Sequence, residues 1–188
     1  MSSLHTPHRL SVAPMIKYTD QHWRYLIRGI TLHTLLYTEM IQCDTLNYNP
    51  SMLHSFIGHH AVEHPLCLQL GGSDPINLGQ ACYLANSFCP DFHSINLNCG
   101  CPSNKAINQG FGAELMLNAD NTRECVYNMT RQSSVPVTVK CRLGAIPGLD
   151  SHEQLVHFIA NIQSAGCKHV IVHARDCMLR GLTPGEYI

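Results

Sequence analysis

The sequence predicts an α/β fold built around a parallel sheet, and three observations predict it. Short apolar runs of strand length alternate with longer segments of helical periodicity. The hydrophobic fraction of 45% suffices for a sizeable core, while charged residues are only 13%, about half the ~25% of an average domain, which argues against disorder. Polar and conformationally special residues gather where the apolar runs end, the face on which parallel α/β folds carry their chemistry.

The first candidate strand covers residues 9–15 and ends in Ala13-Pro14-Met15. Thr19 or Asp20 can then cap a helix reaching Ile30, on which Trp23, Leu26, Ile27 and Ile30 share an apolar face. A second strand over 34–40 ends in Thr38-Glu39-Met40, and the polar, His-rich stretch 47–63 yields no clear element. The third strand, 65–71, delivers Gln69 and the Gly71-Gly72 turn, after which Ser73 or Asp74 caps a helix with Pro75 at its first position. The fourth, 94–98, runs into Asn98-Cys99-Gly100-Cys101-Pro102. A helix over 121–132 leads to the fifth strand, 135–142, which carries Lys140 and Arg142. The helix over 151–165 places Leu155, Val156, Phe158, Ile159 and Ile162 at core spacing, with Gly166 as its stop. A sixth strand, 169–173, ends in His173-Ala174-Arg175.

Six βα units in series admit a doubly wound open sheet or a (β/α)8 TIM barrel. A barrel takes ~250 residues, so six units would be about three quarters of one. The stretch Leu182-Thr183-Pro184-Gly185-Glu186-Tyr187-Ile188 reads as a truncation rather than a natural domain end.

A formal net charge of −1 advertises no global basic field for nucleic acid, so any basic surface must be local. Ten cysteines lie without a single C-x-x-C pair, which removes zinc-ribbon and thioredoxin readings; most are expected to be small buried apolar residues in a reducing cytoplasm. The start MSSLHTPHRL lacks the apolar core of a signal peptide, and no run approaches the ~18–20 apolar residues of a membrane span. His54, His59, His60 and His64 are dense but lack a rigid ligand pair; they read as a solvated loop, and no metal site is expected.

Seven segments carry a resemblance: SVAPM, LLYTEM, LQLGG, INLNCGCPS, GFGAELM, VPVTVKCRLG and IVHAR, in this order, from residue 9 to 184. The set resembles the tRNA-dihydrouridine synthase family, and LLYTEM with GFGAELM resembles its bacterial A-type branch. The resemblance implies a flavin-binding TIM barrel, here the N-terminal part (residues 1–188), with a C-terminal helical tRNA-binding domain that this chain lacks. It implies FMN as cofactor, NADPH as reductant, tRNA as substrate, no membrane and no stable protein partner.

The resemblance also assigns roles. Cys101 becomes the proton donor to C5 of uridine, where residue type alone would suggest a structural thiol. Lys140 lies in an otherwise buried strand, and a buried ammonium needs an anion: a carboxylate such as Glu39, or by resemblance the flavin. Gln69 could pair with the flavin's pyrimidine edge or with backbone. Pro14, Met15 and Ile16 would lie under the ring, and His173 would help hold FMN. Asn98, Arg142 and Arg175 are implied RNA contacts, with a structural ion pair as the alternative for Arg142. The family's phosphate-binding strand ends lie beyond this chain. The alternatives are an inactive fragment or RNA-associated module, a reductase of another pyrimidine, or an aldolase using Lys140, which the GCPS loop disfavours.

Overall fold

In a computed structural model, residues 9–146 and 149–177 are described; the expectations resting on residues 1–8 and on Leu182 to Ile188 lie outside them. A single parallel sheet has the order β1-β2-β3-β4-β5: β1 Leu36–Gln42, β2 Leu66–Gly71, β3 Ser94–Cys99, β4 Val137–Arg142 and β5 Val170–His173. Every neighbouring pair is parallel and consecutive in sequence. That order belongs to a TIM-type barrel, since a doubly wound sheet reverses direction at a switch point. The described residues provide part of such a barrel.

The helices are α1 Gln21–Arg28, α2 Cys43–Tyr48, α3 Leu53–Ile57, α4 Pro75–Phe88, α5 Asn104–Asn108, α6 Ala119–Gln132 and α7 Ser151–Ser164. Short 3₁₀ turns at Pro50–Met52, Ala61–Glu63 and Gly112–Leu117 complete the chain. The long helices begin at side-chain caps: Asp20 accepts from the Trp23 amide, Asp74 from Asn77, Asn118 from Asn121 and Asp150 from Glu153. α4, α6 and α7 cover one face of the sheet, where Leu68, Leu70, Ile95, Leu97, Val139 and Cys141 meet Leu78, Cys125, Met129, Phe158 and Ile162 in one core.

Two expectations are corrected. The strand over 9–15 contracts to one parallel bridge, Ser11 with Leu35. Val12 donates to the Leu35 carbonyl (2.9 Å) and Leu35 to that of Leu10 (3.1 Å). Pro14 then removes the next donor on this strand.

The second correction concerns α1. Its expected apolar face leaves Leu26 67% and Ile30 79% exposed, with only Trp23 and Ile27 packed against the core. The buried side chains are Arg24 and Arg28, each 5% exposed. Arg24 Nε pairs with Glu63 Oε2 at 2.6 Å, and its Nη1 donates to the Thr19 carbonyl. Arg28 donates to the carbonyls of Thr31, Thr34, Glu63 and Pro65. Guanidinium forks satisfy loop carbonyls that would otherwise be buried without donors, and that need outweighs the apolar stripe.

Candidate active site

The inner face of the sheet is polar where the helix-facing side is apolar. Along β2, β3 and β4 the alternating positions Gln69, Asn96, Asn98 and Thr138 form one hydrogen-bonded ladder. Asn98 Nδ2 donates to Gln69 Oε1 (2.9 Å), Gln69 Nε2 to Asn96 Oδ1 (2.8 Å), and Asn96 Nδ2 to Thr138 Oγ1 (2.8 Å). The Gln69 amide N–H donates to Thr38 Oγ1 at 3.1 Å. Buried amides persist only when paired in this way, and such a ladder fixes their orientation.

The ladder ends on the Cys101 loop. Asn98 Oδ1 accepts from the backbone N–H of Gly100 (3.1 Å) and of Cys101 (2.9 Å). Arg142 Nε, one strand across, donates to the Gly100 carbonyl at 2.8 Å. From below, Ala113 N donates to the Cys101 carbonyl at 2.9 Å. Gly112 makes that approach possible. It holds φ +70°, and a Cβ there would sit 2.6 Å from the Cys101 carbonyl oxygen. Ser103 caps α5 and its Oγ lies 3.3 Å from Cys101 Sγ. The thiol is half-buried at the C-terminal end of β3.

All ten cysteines are free, and eight are buried. Burial pushes the thiols of Cys43, Cys67, Cys125 and Cys141 up to about 12. Cys99, fully buried in the core, packs away from the inner face as expected.

Beside the loop stands a group of cations at the ends of β4 and β5. Lys140 is half-buried opposite Asn98 on β3, and Arg142 opposite His173 on β5. Burial, then the Arg142 charge, holds the Lys140 ammonium below its usual range. His173 is lowered by desolvation and by Arg142, Lys140 and Arg175. Among the described residues no carboxylate pairs with Lys140. Glu39, the carboxylate alternative for it, accepts instead from the backbone N–H of Lys17. Lys17 holds φ 69° in the loop after Pro14, where Met15 and Ile16 are exposed.

The expected residues therefore fall into two sets. Cys101, Asn98, Gln69, Lys140, Arg142 and His173 come together through the ladder and the β3–β4–β5 register. Pro14, Met15, Ile16 and Arg175 lie on strand-end loops, and Arg175 is tied to the set through its backbone, its N–H donating to the His173 carbonyl at 2.7 Å. Gln69, 1% exposed, has both amide ends committed to Asn96 and Asn98. Sequence reasoning missed Gly112, Thr38 and Thr138. The repeated glycine in Gly110-Phe111-Gly112 was a legible signal for positive φ, and both Gly110 and Gly112 adopt it. The threonines carried no such signal.

Fold and site together define an α/β-barrel protein with a thiol loop, an amide ladder and a cationic group that no carboxylate pairs among the described residues, at its C-terminal strand ends. Residues 11–186 match the family model described as Dihydrouridine synthase (Dus), and the chain belongs to that family. It is similar to the tRNA-dihydrouridine(20/20a) synthase of Pseudomonas putida, 44% identical over 178 residues, covering 95% of this chain and 52% of that protein. The proteins of the same name from Synechocystis sp. and Escherichia coli K12 are each 43% identical, covering 94% and 98% of this chain and 52% of each relative. The chain thus spans about half the length of the curated relatives it matches.

Proposed function

We propose that these residues form the N-terminal part of the catalytic barrel of a cytoplasmic tRNA-dihydrouridine synthase, which reduces the C5–C6 bond of uridines in tRNA with FMN and NADPH. One observation carries the reading: a half-buried thiol on a braced loop lies in the same strand-end region as a half-buried lysine that has no carboxylate partner among the described residues. A lysine so placed calls for an anionic ligand. Lys140 and His173 are the residues that would hold a flavin, and Pro14, Met15, Ile16 and Gln69 would line it, Gln69 with both ends of its amide already bonded to Asn96 and Asn98. A bound flavin supplies hydride chemistry that amino acid side chains lack.

The chain's own contribution is acid catalysis and positioning. Cys101 Sγ carries a proton and delivers it to C5 of the pyrimidine, and water restores the proton afterwards. The target base must leave its stack to expose C5 and C6. Asn98, Arg142 and Arg175 border the place it would enter. Free thiols in this number suit a reducing cytoplasm. Among the described residues no helix is long and apolar enough to cross a membrane.

The test is dihydrouridine content in tRNA from cells lacking the gene, complemented with the intact protein or its Cys101→Ala variant. Loss on deletion, rescue by the intact protein and no rescue by the variant is the expected result. An unchanged modification pattern after deletion overturns the reading.

A further inference from the structure

The segment preceding β2 and the loop preceding β3 meet at the N-terminal end of the sheet, opposite Cys101. There His59, His64 and Asp91 each turn one ligand-type atom toward a common point, all within 4.8 Å of one another. The histidines were expected in a solvated loop, but the His59 ring is only 3% exposed. It packs against Phe92 and lies 4.9 Å from the His64 ring, centroid to centroid.

The hydrogen-bonding chemistry of this trio is incomplete. His59 Nδ1 lies 3.0 Å from the Ile57 carbonyl and Nε2 lies 3.3 Å from Asp91 Oδ1. A carbonyl and a carboxylate both only accept, whereas a neutral imidazole donates from one nitrogen only. His64 Nε2 is 3.0 Å from Asp91 Oδ2, yet it is buried and makes no hydrogen bond, because the oxygen lies off the line of the ring nitrogen. Two imidazole nitrogens thus lie close to one carboxylate, one against each oxygen, and that of His64 makes no hydrogen bond there.

Ligands of one ion behave this way. Bonds of ~2.0–2.2 Å in a tetrahedron set donor atoms about 3.3–3.6 Å apart, and the 3.3 Å from His59 Nε2 to Asp91 Oδ1 and the 3.0 Å from His64 Nε2 to Asp91 Oδ2 are near that spacing. The Nδ1 bond to Ile57 O is also the outer contact that orients a ligating histidine, and it presents Nε2 on the side of Asp91. Asp91, 56% exposed, leaves room for water at a fourth position.

We propose that His59 Nε2, His64 Nε2 and the Asp91 carboxylate form a site for a divalent transition-metal ion of the zinc class. The ion ties the segment before β2 to the loop before β3. Its position on the stability face of the barrel makes it a clip, separate from the chemistry at the other end.

The test uses the full chain after chelator treatment, titrated with Zn²⁺ by calorimetry, with Co²⁺ as a spectroscopic probe. One equivalent should bind and raise the unfolding temperature, and the Co²⁺ spectrum should lack thiolate charge-transfer bands. Asp91→Asn and His59→Gln should each weaken binding at least tenfold, while Cys101→Ser should not. Circular dichroism checks that the variants fold, and the Co²⁺ spectrum of the unaltered protein reports the ligand set independently of them. Absence of binding, a thiolate spectrum, or affinity indifferent to Asp91→Asn and His59→Gln would each overturn the site. Synthase activity is not the readout, so failure here is distinguishable from failure of the functional reading.

Discussion

Cys101, Gly112 and His173 each make a claim that one substitution can check. Under the proposed chemistry, Cys101→Ala removes a general acid, whose contribution is typically about 10²–10⁴-fold in rate. Single-turnover reduction of unmodified tRNA should fall within that span while FMN binding stays unchanged. Gly112→Ala acts without touching substrate. A left-handed φ costs a side chain roughly 1–2 kcal/mol, and the added methyl would also press on the Cys101 carbonyl. Chemical denaturation should register the loss, and activity should fall further than stability predicts because the thiol is displaced.

His173 gives a pH dependence with a definite sign. Desolvation and then three neighbouring cations hold it below the ordinary 6.5. An anion bound among those cations relieves the repulsion and raises the histidine toward protonation. Binding then takes up a proton, so affinity for FMN should strengthen as pH falls from 8 toward 6 and level off once free His173 is itself protonated. His173→Asn should flatten that part of the profile in a fluorescence titration; an identical slope in the variant would refute the linkage.

At the scale of elements, the caps and buried arginines dominate. α6 and α7 were legible to within two residues from periodicity, and α4 was legible at its start, where Asp74 stands as the acceptor that first-turn amides need; the caps Asn118 and Asp150 came from the structure. α1 was legible as a helix but not in its orientation. Periodicity selected Trp23, Leu26, Ile27 and Ile30, yet the fold turned Arg24 and Arg28 inward. Only the approach of Glu63, from the distant segment before β2, makes that burial favourable. Breaking such a pair by removing one partner typically costs about 3–5 kcal/mol. Arg24→Ala should therefore lower the unfolding free energy by that order, whereas Leu26→Ala on the exposed face should change it by less than about 0.5 kcal/mol.

For the molecule as a whole, burial is graded across the sheet. β2 is buried along its whole length and β3 nearly so, while β5 is half-buried to exposed and the Ser11 bridge stands alone. Local opening follows contact density and exposure. Hydrogen exchange should show slow amides in β2 and β3 and fast ones in β5 and around Ser11. Uniform protection across the five strands would contradict that gradient.

The sequence by itself determined the alternation of strands and helices, the caps of α1 and α4, and the collection of reactive residues at strand ends, because periodicity and turn chemistry are local properties. It also located Cys101, Asn98, Lys140 and Arg142 on one face, since parallel strands of known direction bring their ends together. What only the tertiary structure decided was partnership. The Gln69–Asn96–Thr138 ladder, the hold of Arg142 on the Gly100 carbonyl, the burial of α1's arginines and the meeting of His59, His64 and Asp91 join residues far apart in the chain. Hydrogen bonds and ion pairs depend on ångström-scale distance and angle, and a linear pattern of residue types carries neither until the chain is folded.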